Sequence, residues 1–119
     1  ESLRLFDDEA TLKRVEGLQA VMKEVGNQFA ALEHVGDVRT LGGIWAIELV
    51  VDRGSRQIFE PPNGPGWRIA QALWDQGIWV RPLHNVLYLV PPYCTSPAEL
   101  RRVFEVLYSE VRKRTHFEE

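Results

Sequence analysis

Apolar residues recur at steps of three and four through the first third of the chain. Leu12, Val15, Leu18, Met22, Val25, Phe29 and Leu32 draw one stripe, which predicts a helix over 7–32. Asp7 or Asp8 is placed to cap its start, Glu9 suits the positive end of its dipole, and Gly26 weakens it locally. From Val35 the period changes. Residues 35–41 and 43–51 read as two strands, and Gly42-Gly43 between them supplies either a tight hairpin turn or a bulge in one bent strand. Ile44, Ala46 and Glu48 alternate there with Trp45, Ile47 and Leu49. Both faces are largely apolar, so this strand is expected to be central.

Residues 52–66 form a loop whose last six residues hold three prolines and two glycines. A helix follows over 67–76, with Asn63 or Gly64 near its cap, Pro65 in its first turn and Gly77 as a left-handed stop. Strands are predicted over 78–82 and 86–90, joined by a turn at His84-Asn85. Ser96-Pro97-Ala98-Glu99 is a capping box with proline at the first helical position. Leu100, Val103, Phe104, Leu107 and Val111 make the apolar face of that last helix, and Arg112, Lys113 and Arg114 sit at its negative end. The order α-β-β-α-β-β-α implies an α+β fold, a small antiparallel sheet with helices on one face.

Composition narrows the partners. A length of 119 residues with 45% apolar content and four tryptophans is one domain's worth, without an internal repeat. A net charge of −3 argues against a nucleic-acid partner, and no apolar run is long enough to cross a bilayer. The single cysteine, Cys94, excludes an internal disulfide and fits a cytoplasmic setting; it is expected to pack as a small buried or half-buried residue. The chain opens at Glu1 and its one methionine, Met22, lies inside a helical pattern, so it reads as a piece of a longer protein.

Arg81 is the leading candidate for function. It stands in an otherwise apolar strand, on the face shared with Trp79, with no acidic residue close by in sequence. Its planar fork matches a carboxylate; the competing reading is an arginine that reaches water or a distant glutamate. Tyr88, on the neighbouring strand with Val86 and Val90, is a core tyrosine or a second ligand contact. Tyr93 reads as packing. His34, His84 and His116 have no metal-ligand spacing, and Asp37 and Glu48 form no evident catalytic set with them. Asn63-Gly64-Pro65-Gly66 reads as a turn. The lysines, Lys13, Lys23 and Lys113, lie on polar helix faces, where none is placed to form a Schiff base. No catalytic residue and no metal site is evident in this chain.

The stretch Val35-Gly-Asp-Val-Arg-Thr-Leu-Gly-Gly-Ile-Trp-Ala-Ile-Glu48 resembles the opening of the C-terminal small domain of class III pyridoxal-phosphate aminotransferases. Gly77-Ile-Trp-Val-Arg-Pro82, Leu87-Tyr-Leu-Val-Pro-Pro-Tyr93 and Ser96-Pro-Ala-Glu-Leu100 extend the likeness over nearly the whole chain, to Phe117. They point to the branch that passes an amino group from S-adenosylmethionine to 8-amino-7-oxononanoate in biotin synthesis. The resemblance implies that residues 1–119 are one small domain. It also implies that Arg81 binds the substrate carboxylate, with Tyr88 near the same pocket. Pyridoxal 5'-phosphate, its lysine and its phosphate loop would then belong to the large domain of the same polypeptide, in a cytoplasmic homodimer. On that reading the fragment alone binds no cofactor and is inactive. Residues 52–64 depart from the family pattern, being longer and more polar. Two other readings stand beside it: another class III enzyme acting on ω-amino acids, and a non-catalytic regulatory domain that binds an amino acid.

Overall fold

The computed structural model describes residues 1–60 and 64–115. The helix predicted over 7–32 is divided into α1 (Ser2–Asp8), α2 (Thr11–Gly26) and a 3-10 turn (Asn27–Ala31). Ala10, at φ 50° and ψ 48°, makes the first break. Neither Asp7 nor Asp8 therefore caps the long helix; both lie within α1. α1 buries no residue, and Leu12 is 66% exposed, so the apolar stripe is realised only from Leu18 through Met22 to Phe29.

Four strands follow from the two hairpins: β1 (Val35–Leu41), β2 (Ile44–Leu49), β3 (Arg81–Leu83) and β4 (Val86–Leu89). They lie in the order β1-β2-β4-β3 with every neighbouring pair antiparallel. Gly42-Gly43 is a two-residue hairpin turn, not a bulge: Leu41 pairs with Ile44, and Gly42 supplies the positive φ of 56°. β2 is internal, as its sequence predicts. Only one of its faces is buried, however, because Ile44 is exposed and Ala46 and Glu48 are partly so.

α3 (Gly64–Trp74) begins earlier than predicted, and Asn63 lies outside the described residues. The helix ends at Trp74, two residues short of the predicted end, and the left-handed stop at Gly77 is as expected. Gly77 has φ 79°, and Gly77 N and Ile78 N donate to Trp74 O and Leu73 O, each at 2.9 Å. α4 (Pro97–Thr115) starts on the predicted capping box, in which Ser96 N donates to Glu99 Oε1 and Glu99 N to Ser96 Oγ, both at 3.1 Å. Leu100, Phe104, Leu107 and Val111 are buried along it, and the three basic residues occupy its last turn.

The helices cover one face of the sheet. Trp45, Ile47, Leu49, Leu87 and Leu89 point into that core with Phe29, Ile69, Leu73 and Phe104. The Trp45 ring is wedged edge-on between Phe29 (centroids 4.7 Å apart) and Phe104 (4.8 Å). Two further expectations fail. Cys94 is exposed, not packed. The strand predicted over 78–82 starts only at Arg81, because residues 77–80 are bound to α3 instead of to β4: Trp74 Nε1 donates to Val80 O at 3.2 Å, and Trp79 stacks on Trp74 at 4.8 Å.

Candidate functional site

The open face of the sheet follows from register. Arg39 pairs with Ala46, Ala46 with Tyr88, and Tyr88 with Arg81, so these four side chains form one row across all four strands. The adjacent row is Asp37, Glu48, Val86 and Leu83. At strand spacings of about 4.8 Å, the two arginines stand roughly 14 Å apart at their backbones.

Arg81 opens the edge strand β3. Val80 before it is buried, and Pro82 after it packs toward α3, where a Cβ on Gly66 would lie 3.4 Å from the proline ring. Pro82 is tolerated because β3 lies at the edge of the sheet, where a missing N–H leaves no ladder partner short. With both neighbours anchored, the guanidinium projects from a fixed base. It is exposed, and among the described residues it has no ion pair or hydrogen bond. Tyr88, half-buried, stands directly opposite it. The structure thus brings Arg81 and Tyr88 together. Trp79 does not share the strand; it is 71% exposed and leans on Trp74, which meets Trp67 edge-on at 5.4 Å.

Arg39 is in a different electrostatic state. Its Nη1 donates to Asp37 Oδ2 at 3.0 Å and to Glu48 Oε1 at 3.2 Å. Sequence reasoning paired Asp37 and Glu48 only with histidines and overlooked this cluster. The signal was available: a two-residue turn at Gly42-Gly43 sets Leu41 opposite Ile44, and counting outward places Arg39 and the two carboxylates on one face.

The histidines are scattered. His34 Nδ1 lies 3.0 Å from Val50 O, His84 sits at φ 57° in the β3–β4 turn, and His116 lies outside the described residues. Among the described residues, no three His, Cys, Asp or Glu side chains cluster as metal ligands. Among them too, no helix is long and apolar enough to cross a membrane. The Gly64-Pro65-Gly66 part of the predicted turn is instead the first turn of α3. Lys13, Lys23 and Lys113 are exposed, and Lys113 lies 3.8 Å from Glu110. A Schiff-base lysine must be desolvated, so these residues do not fit a cofactor aldehyde.

The family model described as "Aminotransferase class-III" matches residues 1–111. The chain is 30% identical over 112 residues to the adenosylmethionine-8-amino-7-oxononanoate aminotransferase of Methanocaldococcus jannaschii, an alignment covering 94% of this chain and 24% of that protein. It is 33% identical over 106 residues to the enzyme of the same name from Aquifex aeolicus, covering 89% of this chain and 23% of that protein. The crystal structure of the M. jannaschii enzyme superposes with a TM-score of 0.85 at 31% identity, over 93% of this chain and 25% of that one. A PMP-bound aminotransferase from Vibrio fluvialis superposes with a TM-score of 0.86 at 27% identity, over 92% and 24%. The chain therefore spans about a quarter of the length of the curated relatives it matches. With the sheet order, the hairpin motifs and the family match in agreement, this chain belongs to the class-III aminotransferases.

Proposed function

We propose that this chain is the small, substrate-carboxylate-binding domain of a pyridoxal-phosphate aminotransferase that transfers an amino group from S-adenosylmethionine to 8-amino-7-oxononanoate. The observation that carries the reading is the unneutralised Arg81 on the open sheet face, opposite Tyr88. A guanidinium held there between the buried Val80 and the half-buried Pro82 offers a bidentate fork to the acid end of the substrate, with bonds of about 2.7–2.9 Å. Tyr88 supplies a hydroxyl and an apolar ring edge beside that fork. Pyridoxal phosphate, when bound in the full-length enzyme, supplies the electron sink. Its lysine and phosphate contacts belong to the remaining three quarters of such a polypeptide, since the lysines of this chain do not fit. What this chain contributes is orientation and charge matching. The names of the relatives support the substrate assignment, and the length they share with this chain supports its place as one domain of a larger enzyme.

The test is Arg81→Ala in the full-length enzyme. Losing one partner of a desolvated charge pair costs about 2–5 kcal/mol, so the KM for the keto acid rises by roughly 30- to 5,000-fold. The pyridoxal absorbance band is retained. An unchanged KM, or loss of that band, overturns the assignment. Arg81→Lys recovers only part of the affinity, because an ammonium cannot make the paired contact.

A further inference from the structure

We infer that Asp37 and Glu48 are positioning residues that sequester Arg39, so that Arg81 is the one guanidinium of the cross-sheet row free to take a carboxylate. The inference deepens the reading of Arg81 above and rests on it for the identity of the ligand class.

Two arginines stand at opposite ends of the same row, Arg39-Ala46-Tyr88-Arg81. Chemically they are equivalent, and each has the fork that binds an acid group. A ligand with one carboxylate would otherwise have two docking points roughly 14 Å apart, of which one is unproductive. The structure separates them by occupancy. Arg39 commits Nη1 to both Asp37 (3.0 Å) and Glu48 (3.2 Å), whereas Arg81 has no such neighbour among the described residues.

The arrangement is a poor device for stability. Asp37 and Glu48 face each other directly across β1 and β2, and like charges in that position repel. Arg39 relieves the repulsion, but its side chain is 53% exposed, and exposed ion pairs add little. Two carboxylates on one guanidinium also leave the β1 end of the face net negative, which repels an arriving acid. That asymmetry directs an aliphatic monocarboxylate to the β3 end.

The experiment records the Nε–Hε resonances of the arginine side chains in the 119-residue chain during titration with hexanoate at constant ionic strength. Arg102, exposed on α4, sets the baseline for non-specific binding. In the unaltered chain Arg81 shifts saturably beyond that baseline and Arg39 does not. In the Asp37→Asn, Glu48→Gln double variant, Arg39 also shifts, with an apparent affinity within about tenfold of that of Arg81. Backbone amide spectra establish that the sheet persists. Glu48→Gln alone gives the same readout at smaller amplitude if the double variant fails to fold. An Arg39 response in the unaltered chain, or none in a folded variant, overturns the inference. A variant in which Arg39 gains a response while Arg81 is silent throughout upholds the sequestration and refutes the role of Arg81.

Discussion

Gly26→Ala should destabilise this fold, although the same change in most helices is favourable. A Cβ built on Gly26 would overlap Nε1 of Trp45 and lie 2.8 Å from Cδ1 and 3.0 Å from Cε2. Carbon atoms rest at about 3.5–4.0 Å, so relieving the Cδ1 contact alone needs a shift of roughly 0.7 Å, and the overlap with Nε1 needs more. The ring has nowhere to go: Trp45 is fully buried, with Phe29 and Phe104 edge-on against it. Overpacking of this kind costs about 1–3 kcal/mol. Against it stands a helix-propensity gain of at most about 1 kcal/mol, reduced because Gly26 is the last residue of α2. The net expectation is a loss of about 1–2 kcal/mol.

A double-mutant cycle isolates the cause. Trp45→Phe removes the pyrrole edge that faces Gly26. It also removes an indole N–H that is buried without a hydrogen-bond partner among the described residues. In the Trp45→Phe background Gly26→Ala should be neutral or stabilising, giving a coupling of at least about 1 kcal/mol. Urea unfolding followed by far-UV circular dichroism measures all four corners, and a constant m-value checks that the unfolding reaction is unchanged. Equal costs of Gly26→Ala in both backgrounds would refute the steric argument, as would a single variant within about 0.5 kcal/mol of the parent.

Other consequences are simpler to read. Gly77→Ala meets nothing within 4 Å, so its cost is backbone strain alone at φ 79°, about 1–2 kcal/mol by urea unfolding. Glu99 is held below the usual carboxylate range by the hydrogen bond from Ser96 N–H, and Glu24 by its hydrogen bond with Arg101 and then by that charge. Both groups are more acidic folded than unfolded. Their contribution is therefore present above the ordinary glutamate value of about 4.3 and is lost as pH falls through the depressed ones. The thermal midpoint should fall on acidification across that window, and more shallowly in a Glu24→Gln, Glu99→Gln variant; an equally steep fall in the variant would exclude these two carboxylates.

Elements governed by local chemistry were legible in advance. The capping box and the Gly77 stop each satisfy backbone groups within a few residues, so their residue types carry the information, whereas Gly42-Gly43 left a hairpin turn and a bulge both open until the pairing of Leu41 with Ile44 decided between them. Periodicity alone was less reliable. The helix it predicts over 7–32 runs through the left-handed Ala10 and into a 3-10 turn without a change of pattern, because nothing in an apolar spacing registers a single altered φ. The strand at 78–82 failed for a tertiary reason: Trp74 captures the Val80 carbonyl and stacks Trp79, contacts invisible to a period-two reading. Arg81 was legible as an unusual residue and Tyr88 as a residue of the neighbouring strand; that they pair directly follows only from the register. The ion cluster at Arg39 was not, since it exists only once β1 and β2 are in register.

Register is what makes the open face chemical at all. Side chains alternate with period two, so a slip of one residue in β3 against β4 would turn Arg81 toward Leu87 and Leu89 and bring Pro82 outward. An unpaired guanidinium in that core would cost several kcal/mol, more than any exposed contact on the open face returns. The hydrophobic pattern of Val80, Leu87 and Leu89 therefore selects, as a by-product of burying itself, the one alignment in which Arg81 faces outward beside Tyr88. The same holds between β1 and β2, where burial of Trp45, Ile47 and Leu49 on β2 forces Glu48 outward opposite Asp37 of β1, with Arg39 beside them. The charges on this face are placed by the packing on the other. A substitution that loosens Leu87 or Ile47 should thus blur the distinction between the two arginines before it unfolds the domain.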